Sequence, residues 1–135
     1  MIATVRAVKR ISGQVKAAVL DTGVHILPTA FWYDHEIRPA TDRGQALETY
    51  RLVGPLCMQI DVVRERIELP ALAAGDHLVI QDVGAYNFSQ SMQFIYLRPH
   101  YVLVHGDQVS VVRAAESGAA VRHLEQLPPH LVNRE

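Results

Sequence analysis

The chain has 135 residues, of which 49% are hydrophobic and 20% are charged, and its formal net charge is −1. This length fits one domain with a sizeable core, and a charge so close to zero argues against nucleic acid as a partner. No apolar run reaches the roughly 18 residues of a membrane span, so none is expected. One cysteine excludes an internal disulfide, and the N-terminus lacks a signal-peptide pattern, so we predict a cytoplasmic protein.

Strand-like segments begin at the N-terminus. Alternation of apolar and polar residues predicts a strand over 2–10. Ser12-Gly13-Gln14 is a turn signal, and a returning strand is predicted over 15–20. The aromatic-rich segment 24–38 is broken by Pro28, so we expect it to be irregular but packed.

The rest of the chain contains five more strand-like runs. They cover 49–53, 64–69, 77–81, 101–105 and 109–113. The apolar run over 77–81 suggests a strand buried on both faces. A final helix is predicted from about Ser117 to Gln126, ended by Pro128. This pattern favours a mainly β fold, a small β-barrel or sandwich with a short C-terminal helix.

The only cysteine lies in the stretch Gly54-Pro55-Leu56-Cys57-Met58-Gln59-Ile60-Asp61. Proline holds φ at about −65° and glycine admits dihedrals closed to other residues, so the pair predicts a rigid turn. A cysteine on such a turn has a fixed direction, which suggests a functional thiol. A lone cysteine is also common as a small buried hydrophobe, and spacing alone leaves both interpretations open.

Further fragments follow this turn at fixed spacing: Leu69-Pro70, Gly75-Asp76-His77-Leu78-Val79-Ile80 and Gly84-Ala85-Tyr86. Together they resemble the C-terminal domain of the pyridoxal-phosphate-dependent decarboxylases of ornithine, diaminopimelate and arginine. The resemblance implies a β-barrel domain over 1–127 and a tail over 128–135. It also implies a partner, a (β/α)-barrel domain or subunit that binds the cofactor, within a homo- or hetero-oligomer whose active sites lie between subunits.

The resemblance also implies roles for three residues. Cys57 is implied as the catalytic residue that protonates the substrate carbon after carbon dioxide leaves, and a thiol is mostly protonated at neutral pH. Tyr86 is implied as a contact of the cofactor; the alternative is a buried tyrosine that satisfies its own hydroxyl. Asp61 is implied as a residue that pairs at the subunit interface.

Departures from the family pattern concern the far end of the substrate. Met58 stands where relatives have an acidic residue, and Leu27 and Phe31 replace the Arg and Tyr of an Arg-Pro-x-x-Tyr element. An ammonium buried without a partner is costly. We therefore expect these three side chains to contact a less polar, amino-acid-type substrate, which makes lysine, ornithine and diaminopimelate poor candidates.

The chemistry of a pyridoxal-phosphate enzyme is incomplete in this chain. Such an enzyme needs a lysine for covalent attachment and a cradle for the phosphate. The only lysines, Lys9 and Lys16, lie on the first predicted hairpin, where solvated charges are expected. The chain by itself is therefore expected to be inactive, with the cofactor bound mainly by the partner barrel. The seven histidines are scattered, and no metal site is predicted.

Three functions stay open at this level. The leading one is a C-terminal domain or small subunit of a decarboxylase, and Met1 is compatible with a separate subunit as well as with a trimmed chain. The second is a non-catalytic regulatory module that keeps the fold and the interface. The third is an unrelated ligand-binding β-barrel. Retention of both Cys57 and Tyr86 favours the first.

Overall fold

A computed structural model describes residues 1–41, 44 and 46–132. The chain divides into two compact units, Met1–Met92 and Gln93–Glu135. The predicted limit of the domain at residue 127 stays a prediction, and the division between the units lies elsewhere, after Met92. The last three residues of the predicted tail lie outside the described residues.

The first unit is built on a six-stranded sheet. Its strands are β1 (Ile2–Ser12), β2 (Val15–Leu20), β3 (Ile37–Pro39), β4 (Leu47–Val53), β5 (Val62–Pro70) and β6 (His77–Ile80). They lie in the order β3-β6-β1-β2-β4-β5, and among the strands that the structure describes only β2 and β4 pair in parallel. The edge strands β3 and β5 come close to each other, so the sheet curls into a nearly closed barrel.

Alternate positions of the strands fill the barrel, because successive side chains of a strand point to opposite faces. The fully buried members of the core are Ala3, Val5, Ala18, Leu20, Leu27, Tyr50, Leu52, Leu78 and Ile80. In β6 only Leu78 and Ile80 are buried, while His77 is exposed and Val79 is half-buried. The prediction that both faces of this strand are buried is therefore wrong.

The segment predicted to be irregular contains two short elements. A 3-10 helix covers Pro28–Phe31, with Pro28 at its start, where a residue without an N–H group is tolerated. The strand β3 follows and pairs with β6. A strand of three residues is too short for a recognisable period, so tertiary pairing rather than local pattern creates it.

The second unit contains a hairpin and two short helices. The strands β7 (Tyr101–His105) and β8 (Gln108–Arg113) are antiparallel and turn at Gly106, whose φ is +58°. The helix α1 spans Gly118–Arg122 and is capped by Ser117, whose hydroxyl accepts a hydrogen bond from Ala120 N (3.1 Å). The mainly β fold with a short C-terminal helix is thus confirmed.

The C-terminal helical segment differs in detail from the prediction. The helix α1 ends at Arg122 rather than near Gln126, and a second helix, α2, covers Pro129–Val132 within the predicted tail. Proline begins α2 without losing a bond, since the first N–H groups of a helix have no partner inside it. Pro128 and Pro129 therefore follow α1, as predicted, and Pro129 also begins α2.

Tyr50 is the largest fully buried side chain of the barrel. Its hydroxyl donates a hydrogen bond to Glu48 Oε2 (2.5 Å) and accepts one from Leu72 N (2.8 Å). Glu48 also pairs with Lys16 Nζ at 2.6 Å, and this bond, ahead of the one from Tyr50, lowers the pKa of Glu48. Burial, followed by the bond to Glu48, raises the pKa of Tyr50 to about 12.

The raised pKa of Tyr50 predicts a loss of stability in alkali. An unfolded tyrosine ionises at about pH 10, whereas folded Tyr50 keeps its proton to about pH 12. The contribution of protonated Tyr50 to the free energy of unfolding is therefore complete below about pH 10 and is lost as the pH rises from about 10 to about 12. We expect the free energy of unfolding to fall by about 2–3 kcal/mol over this window. Urea titrations of the wild type and of Tyr50→Phe measure it. Equal pH dependence in the two proteins would contradict the assignment.

Candidate functional site

The turn that carries Cys57, residues 54–61, joins β4 to β5. Gly54 N donates to Asp61 O (2.9 Å), and Asp61 N donates to Met58 O (3.0 Å), so the turn is closed by its own backbone. Leu56 packs inward, whereas Cys57 next to it is exposed and its thiol is free. Of the two interpretations of the lone cysteine, the buried hydrophobe is therefore wrong.

Asp61 lies inside this turn rather than on its surface. Its side chain is 3% exposed, Oδ1 accepts a hydrogen bond from Val24 N (2.8 Å) and Oδ2 accepts one from Leu56 N (2.7 Å). The carboxylate therefore joins the Cys57 turn to the segment that follows β2. A role at a subunit interface stays a prediction, and it would depend on the turn that Asp61 holds, since almost none of its side chain is accessible.

Gly23 and Gly54 lie against the Asp61 carboxylate, and there is no space for a side chain at either position. An ideal Cβ atom would lie 2.3 Å from the Asp61 carboxylate at Gly23 and 2.2 Å from it at Gly54. Neither glycine has a left-handed backbone. The rigid turn predicted from Gly54 thus depends on the close approach of a carboxylate and not on an unusual φ angle.

Tyr86 lies in the loop after β6, residues 82–92. Its φ of +67° places it in the left-handed region, which costs energy for a residue with a side chain and is typical of functional positions. The Tyr86 carbonyl accepts hydrogen bonds from Gln90 N (2.9 Å) and Ser89 Oγ (3.1 Å), which hold this conformation. The side chain is 59% exposed, so it is not the buried tyrosine of the alternative interpretation.

Asn87 anchors the Tyr86 loop. This residue is buried, and its Oδ1 accepts hydrogen bonds from Thr29 N (3.2 Å) and Thr29 Oγ1 (2.7 Å), while its Nδ2 donates to Val83 O (3.0 Å). Thr29 belongs to the 3-10 helix that ends at Phe31. Asn87 therefore holds the loop of Tyr86 against the helix that carries Phe31.

One part of the chain, residues 23–31, is bound to both loops, and we call it the support segment. Asp61 of the Cys57 turn holds it at Val24, and Asn87 of the Tyr86 loop holds it at Thr29. Burial lowers the pKa of His25 in this segment, against an opposing effect of the Asp61 carboxylate. The two loops that the resemblance marks as functional thus share one support.

Thr29 and Asn87 were missed by reasoning from the sequence. Asn87 directly follows the Gly-Ala-Tyr fragment, and Thr29 lies inside the Leu-Pro-Thr-Ala-Phe fragment. The only available signal was a small polar residue inside an aromatic-rich stretch. Threonine and asparagine are mostly exposed in folded proteins, so the sequence could not show that Thr29 and Asn87 are buried.

The three residues predicted to contact substrate have different surroundings. Phe31 is 47% exposed, Met58 is half-buried next to Cys57, and Leu27 is fully buried in the core. Met58 and Phe31 can therefore touch a molecule outside this chain. Leu27 has no accessible surface, so a direct contact between Leu27 and the substrate is not supported.

The described residues fit only part of a site for pyridoxal phosphate. Lys9 and Lys16 lie on β1 and β2, Lys16 pairs with Glu48, and neither the Cys57 turn nor the Tyr86 loop contains a lysine. The exposed ring of Tyr86 could contact a cofactor, but these loops offer no lysine to bind it covalently.

No group of three His, Cys, Asp or Glu side chains within residues 1–41, 44 and 46–132 could hold a metal ion. No helix among these same residues is long and apolar enough to cross a membrane.

The fold and the loops define a class of protein: a β-barrel domain that presents a thiol and a phenol from two loops on one support segment. The family model described as "Pyridoxal-dependent decarboxylase, C-terminal sheet domain" matches residues 1–84. The chain belongs to this family, as its motifs predicted.

Individual relatives agree with this family. The chain is 33% identical over 137 residues to the diaminopimelate decarboxylase of Archaeoglobus fulgidus, covering 98% of this chain and 32% of that relative. The solved structure of diaminopimelate decarboxylase from M. jannaschii has a TM-score of 0.86 and 28% identity, covering 96% of this chain and 30% of that one. Antizyme inhibitor 2 of Xenopus laevis is 40% identical over 57 residues, covering 42% of this chain and 12% of that protein. The chain thus spans about a third of the length of the curated decarboxylase to which it is similar.

Proposed function

We propose that this chain forms one side of the active site of a pyridoxal-phosphate-dependent amino-acid decarboxylase. It works with a (β/α)-barrel that binds the cofactor, either in the same polypeptide or in another subunit. One observation carries the proposal: the loops of Cys57 and Tyr86 both present exposed side chains, and both are held to the support segment by buried hydrogen bonds. Two fixed, accessible functional groups on one support are suited to completing a site formed elsewhere.

In this proposal each exposed group has a chemical role. Pyridoxal phosphate, when bound by the barrel, supplies the electron sink that makes loss of carbon dioxide possible. Cys57 then donates the proton on Sγ to the substrate carbon, and Tyr86 contacts the cofactor through its ring or hydroxyl. The exposed aromatic side chains of Phe31, Trp32 and Tyr33 would be covered by the barrel and would exclude water from the reacting groups.

Exposed apolar surface in the second unit supports association with other protein. The hairpin of β7 and β8 exposes half or more of several apolar side chains, namely Val102, Leu103, Val104, Val109, Val111 and Val112. A two-stranded hairpin is marginal by itself in water, and apolar patches of this kind mark interfaces. A homo- or hetero-oligomer is therefore part of the proposal.

Two indications of the substrate disagree. The similar enzymes from Archaeoglobus fulgidus and M. jannaschii are both named diaminopimelate decarboxylase. Met58 and Phe31, however, are accessible and apolar, and neither can pair with a charge at the far end of a diamino acid. We propose an α-amino acid whose side chain is less polar, or is anchored by the partner barrel.

A non-catalytic regulatory module is the second candidate. The similarity to a protein named antizyme inhibitor 2 favours it, because that name describes an inhibitor and not a decarboxylase. In such a module the barrel and its interface would be retained, while Cys57 would have no role in turnover.

Reconstitution tests the proposal. The chain is combined with a candidate (β/α)-barrel, from a neighbouring gene or from a longer form of the same polypeptide, pyridoxal phosphate is added, and carbon dioxide release is measured with a panel of amino acids. We expect activity from the combination and none from either part, with a preference for less polar substrates. Binding without activity would favour the regulatory module. Decarboxylation by the isolated chain, with borohydride trapping the cofactor on Lys9 or Lys16, would overturn the proposal.

A further inference from the structure

The Cys57 turn is fastened at the residue next to the thiol. Leu56 N donates to Asp61 Oδ2 at 2.7 Å, and Leu56 directly precedes Cys57 in the chain. The other carboxylate oxygen, Oδ1, accepts from Val24 N at 2.8 Å, 37 residues away. The backbone beside the thiol is therefore connected through one carboxylate to the support segment.

A carboxylate is the group that suits this position. Each of its oxygens faces one backbone N–H, and hydrogen bonds to a charged acceptor are stronger than those between neutral groups. An amide of the same shape has one acceptor oxygen, and its NH₂ group would face the other N–H. Gly23 and Gly54 leave room for nothing larger than hydrogen beside the carboxylate. The site thus matches the shape and the acceptors of aspartate.

We propose that Asp61 is a positioning residue that sets the direction of the Cys57 thiol by holding the Cys57 turn to the support segment. The inference depends on the proposed function only for the chemical role of Cys57; the fastening itself is independent of it. Because Tyr86 is held to the same segment through Asn87, Asp61 also sets the thiol relative to the Tyr86 loop.

The first test is turnover of Asp61→Asn in the assembled enzyme. A misplacement of about 1 Å can cost about 10²-fold in rate, so we expect kcat to fall about 10–100-fold with KM within about twofold. The double variant Asp61→Asn, Cys57→Ala should be no slower than Cys57→Ala alone, because Asp61 acts through the thiol. A further tenfold loss in the double variant would overturn the inference.

The second test measures the reactivity of the Cys57 thiol and does not depend on turnover. Cys57 is the only cysteine, so alkylation of the isolated chain by iodoacetamide reports this residue alone. We expect Asp61→Asn to change the alkylation rate at least about fivefold, whereas the same change at the exposed turn residue Asp107 leaves it as in the wild type. An unchanged rate in Asp61→Asn would overturn the inference. If Cys57→Ala does not slow turnover, the proposed function fails, and alkylation alone decides the positioning role.

A third measurement covers the case in which Asp61→Asn does not fold. In the wild-type chain the amide protons of Val24 and Leu56 should exchange with solvent at least about 100-fold more slowly than in an unstructured chain, because both are bound to a buried carboxylate. Exchange of both at the unstructured rate would overturn the inference.

Discussion

Replacing Cys57 with alanine in the assembled enzyme is expected to lower kcat about 10²–10⁴-fold, the usual contribution of a positioned proton donor, with little change in KM. The exposed thiol fills no part of the core, so the free energy of unfolding of the chain should change by less than about 0.5 kcal/mol. Steady-state kinetics and urea unfolding of the same preparation separate loss of chemistry from loss of fold.

The products of this variant carry further information. If Cys57 is the proton donor, as proposed, protonation in Cys57→Ala would be misdirected, and we expect a carbonyl compound and the amine form of the cofactor in place of the amine product. Cys57→Ser is the matched control, because a hydroxyl of similar shape keeps a proton at the same place but is a weaker acid than a thiol. We expect it to lie between wild type and Cys57→Ala. Unchanged turnover with clean amine product in Cys57→Ala would remove Cys57 from the mechanism.

Gly54→Ala is expected to destabilise the barrel by about 3 kcal/mol or more. The new Cβ would lie 2.2 Å from Asp61 Oδ2, far inside contact distance, so the carboxylate must move. Its movement breaks hydrogen bonds to Val24 and Leu56, and overpacking alone typically costs about 1–3 kcal/mol.

Gly84→Ala is the matched control for this change. A Cβ at Gly84 would meet open space, and the residue has no left-handed backbone. Its free energy of unfolding should stay within about 0.5 kcal/mol of the wild type, or rise slightly because alanine restricts the unfolded chain. Urea unfolding at neutral pH measures both variants. If Gly54→Ala lowers the free energy of unfolding no more than Gly84→Ala does, the turn can accommodate a side chain. That result would contradict the close approach of the Asp61 carboxylate to Gly54.

Local patterns in the sequence were sufficient for much of the fold. Alternation over 2–10 predicted β1, the turn signal at Gly13 predicted the return of the chain in β2, and the runs over 101–105 and 109–113 predicted β7 and β8, which turn at Gly106. These features depend on the side-chain period of two and on residues that accept a left-handed φ, which neighbours in the chain decide. The motif series was likewise sufficient for the family, because its fragments stand at fixed spacings.

The surroundings of the candidate site were decided only by the tertiary structure. Cys57 and Tyr86 could be selected from motifs, but their exposure, the burial of Leu27 and the position of Asp61 could not. The hydrogen bonds that join the loops to the support segment connect residues 37 and 58 positions apart, from Val24 to Asp61 and from Thr29 to Asn87. A local pattern contains no information about such pairs. Whether a polar side chain is solvated or buried depends on which distant N–H groups the closed barrel brings to it.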